Sequence, residues 1–386
     1  MRFRVLAVFL TVSVTSASAE TSGNTVPLDP YVGGRVVTRV IPGTVTSTYI
    51  GGRVAIHPTG GQTAYAYAWP GVYFEAQFTG DSVDVKIDDD QNNLYLWVDG
   101  VHKLTLTKPG RTTVALKDLD PGRHVVRLEK TSETQGSTST FDGFYVASAW
   151  QALSAPHYER RIEFIGDSFT VGYGNTSRGQ TCTVEDVAQT TDTSQAFGPL
   201  TAKYFGASYR INAYSGDGVV RNYAGIRPGI TFPVIYRYTL FDQSTLANDD
   251  GGTPDVVVIG LGTNDFSTPL GTDEHWKTRE ELRADFIATY VEFVKTLRAE
   301  WPSAHFILMA ATDDGSERID TANAVADRLK EDGTTGLEIL PFGNLDYQAC
   351  HAHPSLKDEG ILTQLLIDRI SRLPKFDAAA LQSRGR

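Results

Sequence analysis

The sequence predicts two domains of different class: an all-β sandwich of jelly-roll type, then an α/β domain on a parallel sheet with helices on both faces. Three observations predict it. Between Thr46 and Trp150, apolar residues recur at every second position in short runs separated by turn dipeptides, and no amphipathic helix intervenes. After Ser154-Ala-Pro156 the texture changes to strands alternating with helical periodicity. Ser168, Asn264 and a turn at Gly216 all fall where such strands end, the place where open α/β sheets bind ligands.

The chain opens on Met1-Arg-Phe-Arg4, an apolar run from Val5 to Val14 and the small-x-small site Ala17-Ser-Ala19. This reads as an export signal over residues 1–19, cleaved near Ala19, and it predicts a secreted or periplasmic protein. The run is too short for a membrane anchor. Residues 20–45, with Ser, Thr, Gly and Pro and little periodicity, read as a lead-in segment. A length of 386 residues accommodates two domains. The formal net charge of −11 argues against a nucleic-acid binder or a basic membrane-surface protein.

The sandwich is expected over residues 46–153. Val72, Phe74, Ala76 and Phe78 alternate with other residues, as do Val83, Val85 and Ile87. Leu94, Leu96 and Val98 lead into Asp99-Gly100, a hairpin signal before Val101 to Leu106. Pro121-Gly122 separates two further strands. Trp69 and Trp97 could stack on sugar rings or serve as core. Asp88-Asp-Asp90 reads as a solvated turn, since the calcium-loop pattern is missing.

The α/β domain is expected over 154–386. It opens with the strand-like Arg161-Ile-Glu-Phe-Ile and breaks at Gly166-Asp167 to deliver Ser168. Asp255 to Ile259 repeats the design and delivers Asn264-Asp265. A helix is predicted from about Arg279 to Glu300, with Leu282, Phe286, Tyr290, Phe293, Val294 and Leu297 on one face and Trp301-Pro302 as its stop. A strand from His305 to Ala310, a helix around Ile319 to Leu329, a strand from Leu337 to Leu340 and a helix from about Asp358 to Leu373 complete the alternation. Cys182 and Cys350, an even pair in an exported chain, predict one disulfide that pins the histidine loop to the region after the serine.

Serine needs a base to become a nucleophile, and His353, before Pro354, is the candidate, with His351 its competitor. An acyl-transfer intermediate needs oxyanion donors. The Asn264 amide, the Gly216 backbone N–H and the N–H of Ser168 are candidates. Trp276 and Tyr214 are candidate substrate-binding residues. No Gly-rich phosphate loop or zinc-type Cys/His spacing appears, so no cofactor and no metal are expected. Gly166-Asp-Ser168-Phe-Thr170 departs from the nucleophile elbow of α/β-hydrolases, which requires glycine two residues after the serine.

The serine turn, Gly262-Thr-Asn-Asp265 and the late His-Pro resemble, in this order, the SGNH (GDSL-type) hydrolases. The preceding sandwich, together with Thr181-Cys182, Phe197 to Ala207, Ser215 to Asn222, Phe232-Pro-Val-Ile-Tyr236 and Ala349 to Ser355, resembles carbohydrate esterase family 2 over nearly the whole mature chain. The resemblance implies a three-layer, flavodoxin-like second domain. It implies a secreted acetylxylan-esterase-like enzyme that removes acetyl groups from plant polysaccharides or oligosaccharides. Ser168 would be nucleophile, His353 base, and Gly216 and Asn264 the rest of the oxyanion hole. Family members commonly place an aspartate two or three residues before the histidine; Cys350 and His351 stand there. A backbone carbonyl, giving a Ser–His dyad, is the favoured substitute; His351 and Asp346 are the others. Alternatives are an SGNH lipase or arylesterase, and a non-catalytic glycan-binding protein with a degenerate hydrolase domain.

Overall fold

The computed structural model describes residues 43–59, 62–147, 149–247, 252–313 and 315–377. The export signal and most of the lead-in segment lie outside the described residues.

The first region contains β1 (Gly43–Val45), β2 (Thr48–Gly51), β3 (Val54–Thr59), β4 (Gln62–Tyr67), β5 (Tyr73–Gly80) and β6 (Val83–Asp89). It continues with β7 (Asn93–Val98), β8 (Val101–Thr107), β9 (Gly110–Leu116), β10 (Gly122–Lys130) and β11 (Ser139–Ala147). Two antiparallel sheets form, β3-β4-β11-β6-β9 with β1 on β11, and β2-β5-β10-β7-β8. The chain changes sheet at most connections, so the inward residues of each strand interdigitate in one core. The alternation read in the sequence is that core: Phe74, Ala76, Phe78, Val83, Val85, Ile87, Leu94, Leu96 and Val98 are all buried. Asp99 and Gly100 both adopt positive φ, at 52° and 75°, and close the two-residue hairpin between β7 and β8.

The second region is α/β. Its strands are β12 (Arg161–Gly166), β13 (Ser208–Ala213), β14 (Val256–Gly260), β15 (His305–Ala311) and β16 (Leu337–Phe342). All pairings are parallel, in the order β13-β12-β14-β15-β16. Counted within the domain this is 2-1-3-4-5, the flavodoxin-like order, whose switch point lies between β12 and β14. The helices are α1 (Ser168–Val171), α2 (Val184–Thr190), α3 (Phe197–Tyr204), α4 (Phe232–Ile235), α5 (Thr263–Phe266), α6 (Arg279–Glu300), α7 (Glu317–Glu331) and α8 (Leu356–Ile370). Ile162, Phe164, Val256, Val258, Ile307 and Met309 pack with α3 and α8. Ile165, Val257, Ile259, Phe306 and Leu308 point the other way, towards α6 and α7. Helix α6 matches its expected span, because Thr278 caps its start and Trp301-Pro302 prevents its continuation. The six apolar residues predicted for its inner face are all buried, each such burial worth about 1.5–3 kcal/mol. Helix α3 has no counterpart among the predicted elements; Pro199 lies in its first turn, where proline is tolerated.

The two regions share one interior. Trp69 is fully buried, with its ring 4.7 Å from Phe241 and 6.3 Å from Phe232 of the α/β region. It is a joint between cores, not an exposed platform. Beside it the outer face of β10 carries a polar seam. Arg127 stacks 3.5 Å over Tyr73 and donates to Tyr209 at 2.6 Å, while Glu129 receives Lys203 at 3.3 Å and the Tyr209 hydroxyl. Burial opposes the charge on Glu129, but Arg127, Lys203 and Tyr209 together hold its carboxyl down to about 2.

Because that carboxyl titrates lower in the folded chain than its ordinary 4.5, its stabilisation is present above 4.5 and lost as pH falls towards 2. Glu129→Gln leaves Arg127 only the Glu75 carboxylate, 3.5 Å away, and should cost about 1.5–3 kcal/mol at neutral pH. Thermal denaturation of both proteins across acid pH should show the gap narrowing from 4.5 downwards.

Candidate active site

The site lies at the switch point. Strand β12 ends at Gly166, in register with Gly260 of β14. A Cβ on Gly166 would stand 2.9 Å from the Gly260 carbonyl and closer still to Thr170 Oγ1, so glycine permits the close approach. Asp167 then turns the chain, its carboxylate accepting the Phe169 N–H at 3.1 Å as the cap of α1. Ser168, the first residue of that helix, keeps 5% of its surface accessible.

His353 arrives from the loop before α8. Its Nε2 is 2.8 Å from Ser168 Oγ and its Nδ1 is 2.9 Å from the carbonyl oxygen of Cys350. A carbonyl only accepts, so Nδ1 carries the proton and Nε2 presents a lone pair to the serine hydroxyl. Tyr173 covers the imidazole at a ring distance of 4.4 Å, and Phe169 meets it edge-on at 5.7 Å. Burial pushes the imidazole down to about 4, so it is neutral at physiological pH.

Both side-chain substitutes for the missing acid are engaged elsewhere. His351 Nε2 pairs with the Cys182 carbonyl at 2.9 Å and Nδ1 with the Tyr173 hydroxyl at 3.1 Å. Asp346 accepts from Ser355 at 2.9 Å and pairs with Lys357 at 3.2 Å, at the start of α8. Cys182 and Cys350 form a disulfide. The residue whose carbonyl orients His353 is therefore covalently tied to the segment after the serine.

Asn264 opens α5 after β14. Its Nδ2 donates to the Asp217 carbonyl at 2.8 Å and lies 3.5 Å from Asp167 Oδ2. The same amide thus sits between the serine turn and the 214–222 loop. Gly216 follows β13 with φ 89°, and nothing lies within 4 Å of where its Cβ would be, so it borders open space. Its carbonyl accepts from Tyr223 at 2.9 Å.

Asp265, which the sequence reading leaves without a role, holds this loop. Its buried carboxylate accepts the N–H groups of Val219, Val220 and Arg221, each at 2.9 Å. Burial raises the carboxyl to about 6, against the pull of those donors. Arg221, also buried, clamps Glu274 through two contacts and the carbonyl of Pro269 at 2.9 Å. The one available signal was an acid directly after Asn264; its partners are 44 to 46 residues away.

The two aromatic candidates fare differently. Tyr214 lies at the loop, its ring 4.9 Å from Phe241 with Arg227 also 4.9 Å over it. Trp276 is buried, its N–H donates to Asp285 of α6 at 2.9 Å, and its ring packs on His275. Trp97 is half-buried against Tyr95 and His102. Asp88 pairs with Arg111, and Asp89 accepts from Tyr67 and Asn92. Among the described residues no group of three or more His, Cys, Asp or Glu could hold a metal ion.

Known proteins share this architecture. Residues 50–156 match the carbohydrate esterase 2 N-terminal family and residues 164–361 the GDSL-like lipase/acylhydrolase family. The chain is 47% identical over 325 residues to an acetylxylan esterase / glucomannan deacetylase of Cellvibrio japonicus, covering 84% of this chain and 90% of that protein. A solved carbohydrate esterase, described as having divergent catalytic and non-catalytic binding functions in its active site, superposes with a TM-score of 0.82 at 45% identity. That match covers 86% of this chain and 99% of the other. A family two carbohydrate esterase from Clostridium thermocellum, solved with cellohexaose, superposes at 0.73 with 26% identity, over 84% and 98% of the two chains.

The environment of His353 makes a spectroscopic prediction. Its imidazole resonances should titrate near pH 4, well below the ordinary value of about 6.5. Labelling of Ser168 by a fluorophosphonate should follow the same curve, full above pH 5 and lost as His353 protonates; a midpoint near 6.5 would contradict the buried, neutral imidazole.

Proposed function

We propose, for a chain that belongs to carbohydrate esterase family 2, that Ser168 and His353 carry the reaction as a dyad on acetylated plant polysaccharides such as xylan and glucomannan. The chain is a carbohydrate acetyl esterase, a carboxylic-ester hydrolase of the GDSL type. The observation that carries the dyad is the pair of contacts on one imidazole, 2.8 Å to Ser168 and 2.9 Å to a main-chain carbonyl.

The reaction follows from that geometry. Ser168 Oγ attacks the acetyl carbonyl carbon while its proton passes to His353 Nε2. Negative charge develops on the former carbonyl oxygen, to be met by the N–H groups of Ser168 and Gly216 and the Asn264 amide. Collapse breaks the bond to the sugar oxygen, which leaves with the proton from His353. Water, deprotonated by the same imidazole, then attacks the acetyl-serine, and acetate departs as Ser168 recovers its proton. The Cys350 carbonyl keeps the tautomer correct throughout, a task an aspartate performs in triads. The reading as a degenerate domain drew its motive from the missing acid, and this carbonyl removes it.

Export fits the same account. An apolar stretch behind two arginines precedes the described residues, the disulfide suits an oxidising compartment, and polymeric substrates lie outside the cell. No helix among the described residues is long and apolar enough to cross a membrane.

Acetate release from acetylated xylan and glucomannan tests the reading. Ser168→Ala should lower kcat by at least about 10³-fold, and release persisting in that variant would reject the serine mechanism. Asn264→Ala should lower kcat about 10²- to 10³-fold with KM little changed.

A further inference from the structure

We propose that Glu133, carried by the sandwich, is a positioning residue for the oxyanion loop of the other domain, holding the turn from which the Gly216 N–H is presented. The inference rests on the esterase reading above and adds a contribution from outside the hydrolase domain.

Glu133 lies in the connection between β10 and β11. Its Oε1 accepts the Ser215 N–H at 2.8 Å and the Gln135 side-chain amide at 3.2 Å. Gln135 in turn donates to the Ser215 carbonyl at 2.8 Å, and the Tyr214 hydroxyl donates to the Gln135 carbonyl at 3.4 Å. Both backbone polar groups of Ser215 are therefore satisfied by the sandwich. Asp265 pins the far side of the loop through residues 219–221. Gly216 sits between these two anchors at φ 89°, a conformation that favours glycine, and so has no side chain with which to hold itself.

The clamp is stiff at its root. Thr131 N–H donates to the Asn93 carbonyl at 3.0 Å, Ser132 Oγ accepts the Asn93 N–H at 2.9 Å and donates to Asn92 at 3.2 Å, and Thr134 also donates to Asn92. Asn92 is fixed by both oxygens of the buried Asp89 at 3.0 Å. From the hydrolase side, Thr193 N–H reaches the Thr131 carbonyl at 2.8 Å. Glu133 is half-buried, and desolvation raises its carboxyl above its ordinary range, against the pull of Ser215.

The test is steady-state hydrolysis of 4-nitrophenyl acetate, too small to need a glycan subsite, by wild type, Glu133→Ala and Glu133→Gln. Active sites are counted by fluorophosphonate titration, so misfolded protein is excluded from kcat. Glu133→Ala should lower kcat per titrated site about ten- to a hundredfold, with KM within about twofold, since a displaced donor weakens only the transition state. Glu133→Gln, which keeps a carbonyl acceptor for Ser215, should stay within about threefold of wild type. An unchanged kcat per site in Glu133→Ala would overturn the proposal, as would a loss confined to KM or to the fraction of titratable sites. Wild type that neither hydrolyses the aryl ester nor releases acetate would instead sink the esterase reading.

Discussion

A single imidazole bridges a serine hydroxyl and a peptide carbonyl, and most of the chain around the site serves to keep it there. The bridge requires the loop before α8 to double back on itself. Asn344, Tyr347, His351 and Ala352 all take positive φ, between 50° and 60°, a conformation costing about 1 kcal/mol or more for each such residue. Compensation is local and strong. Asp358, buried at the head of α8, accepts the N–H groups of Asp346 and Tyr347 at 2.9 Å, the Cys182–Cys350 bond ties the turn sideways, and Gln180 receives the His351 N–H at 2.8 Å. The strain is thus carried by neighbours that do not themselves touch the reacting atoms.

The same logic extends across the domain boundary. An open parallel sheet leaves its ligand crevice lined by loops, and loops are the least rigid parts of a fold. Here the loop after β13 is bounded by a buried carboxylate from α5 and by the connection between β10 and β11. The continuous core through Trp69 and the Arg127–Glu129–Tyr209–Lys203 seam make the sandwich a fixed reference for that loop. A β domain that merely trailed its partner on a linker could not do this.

The strand ends that carry Ser168 and Asn264 were legible because they follow from local rules, an apolar strand, a glycine break, then a polar side chain; the choice of His353 over His351 drew on Pro354 and on the family pattern. The sandwich was legible because strand periodicity writes its core directly into the sequence. Two classes of feature were not. Trp69 stood open between core and sugar platform, because nothing local tells a joint between cores from a stacking surface. Asp265 and Glu133 looked like ordinary acids; their partners, Val219 to Arg221 and Ser215, are remote in the chain, and only the folded topology brings them into range. Main-chain acceptors are harder still, since every residue has one. The absence of an acid before His353 was visible in the letters, and Cys350 gave no sign that its carbonyl, as well as its sulfur, was engaged.

That carbonyl changes how the site can be lost. A catalytic aspartate disappears with one base change, whereas a peptide oxygen survives every substitution at position 350 that leaves the path of the chain intact. What heredity must preserve here is therefore a curve in the backbone, not a letter. Drift erodes it by slackening the ties that bend the loop.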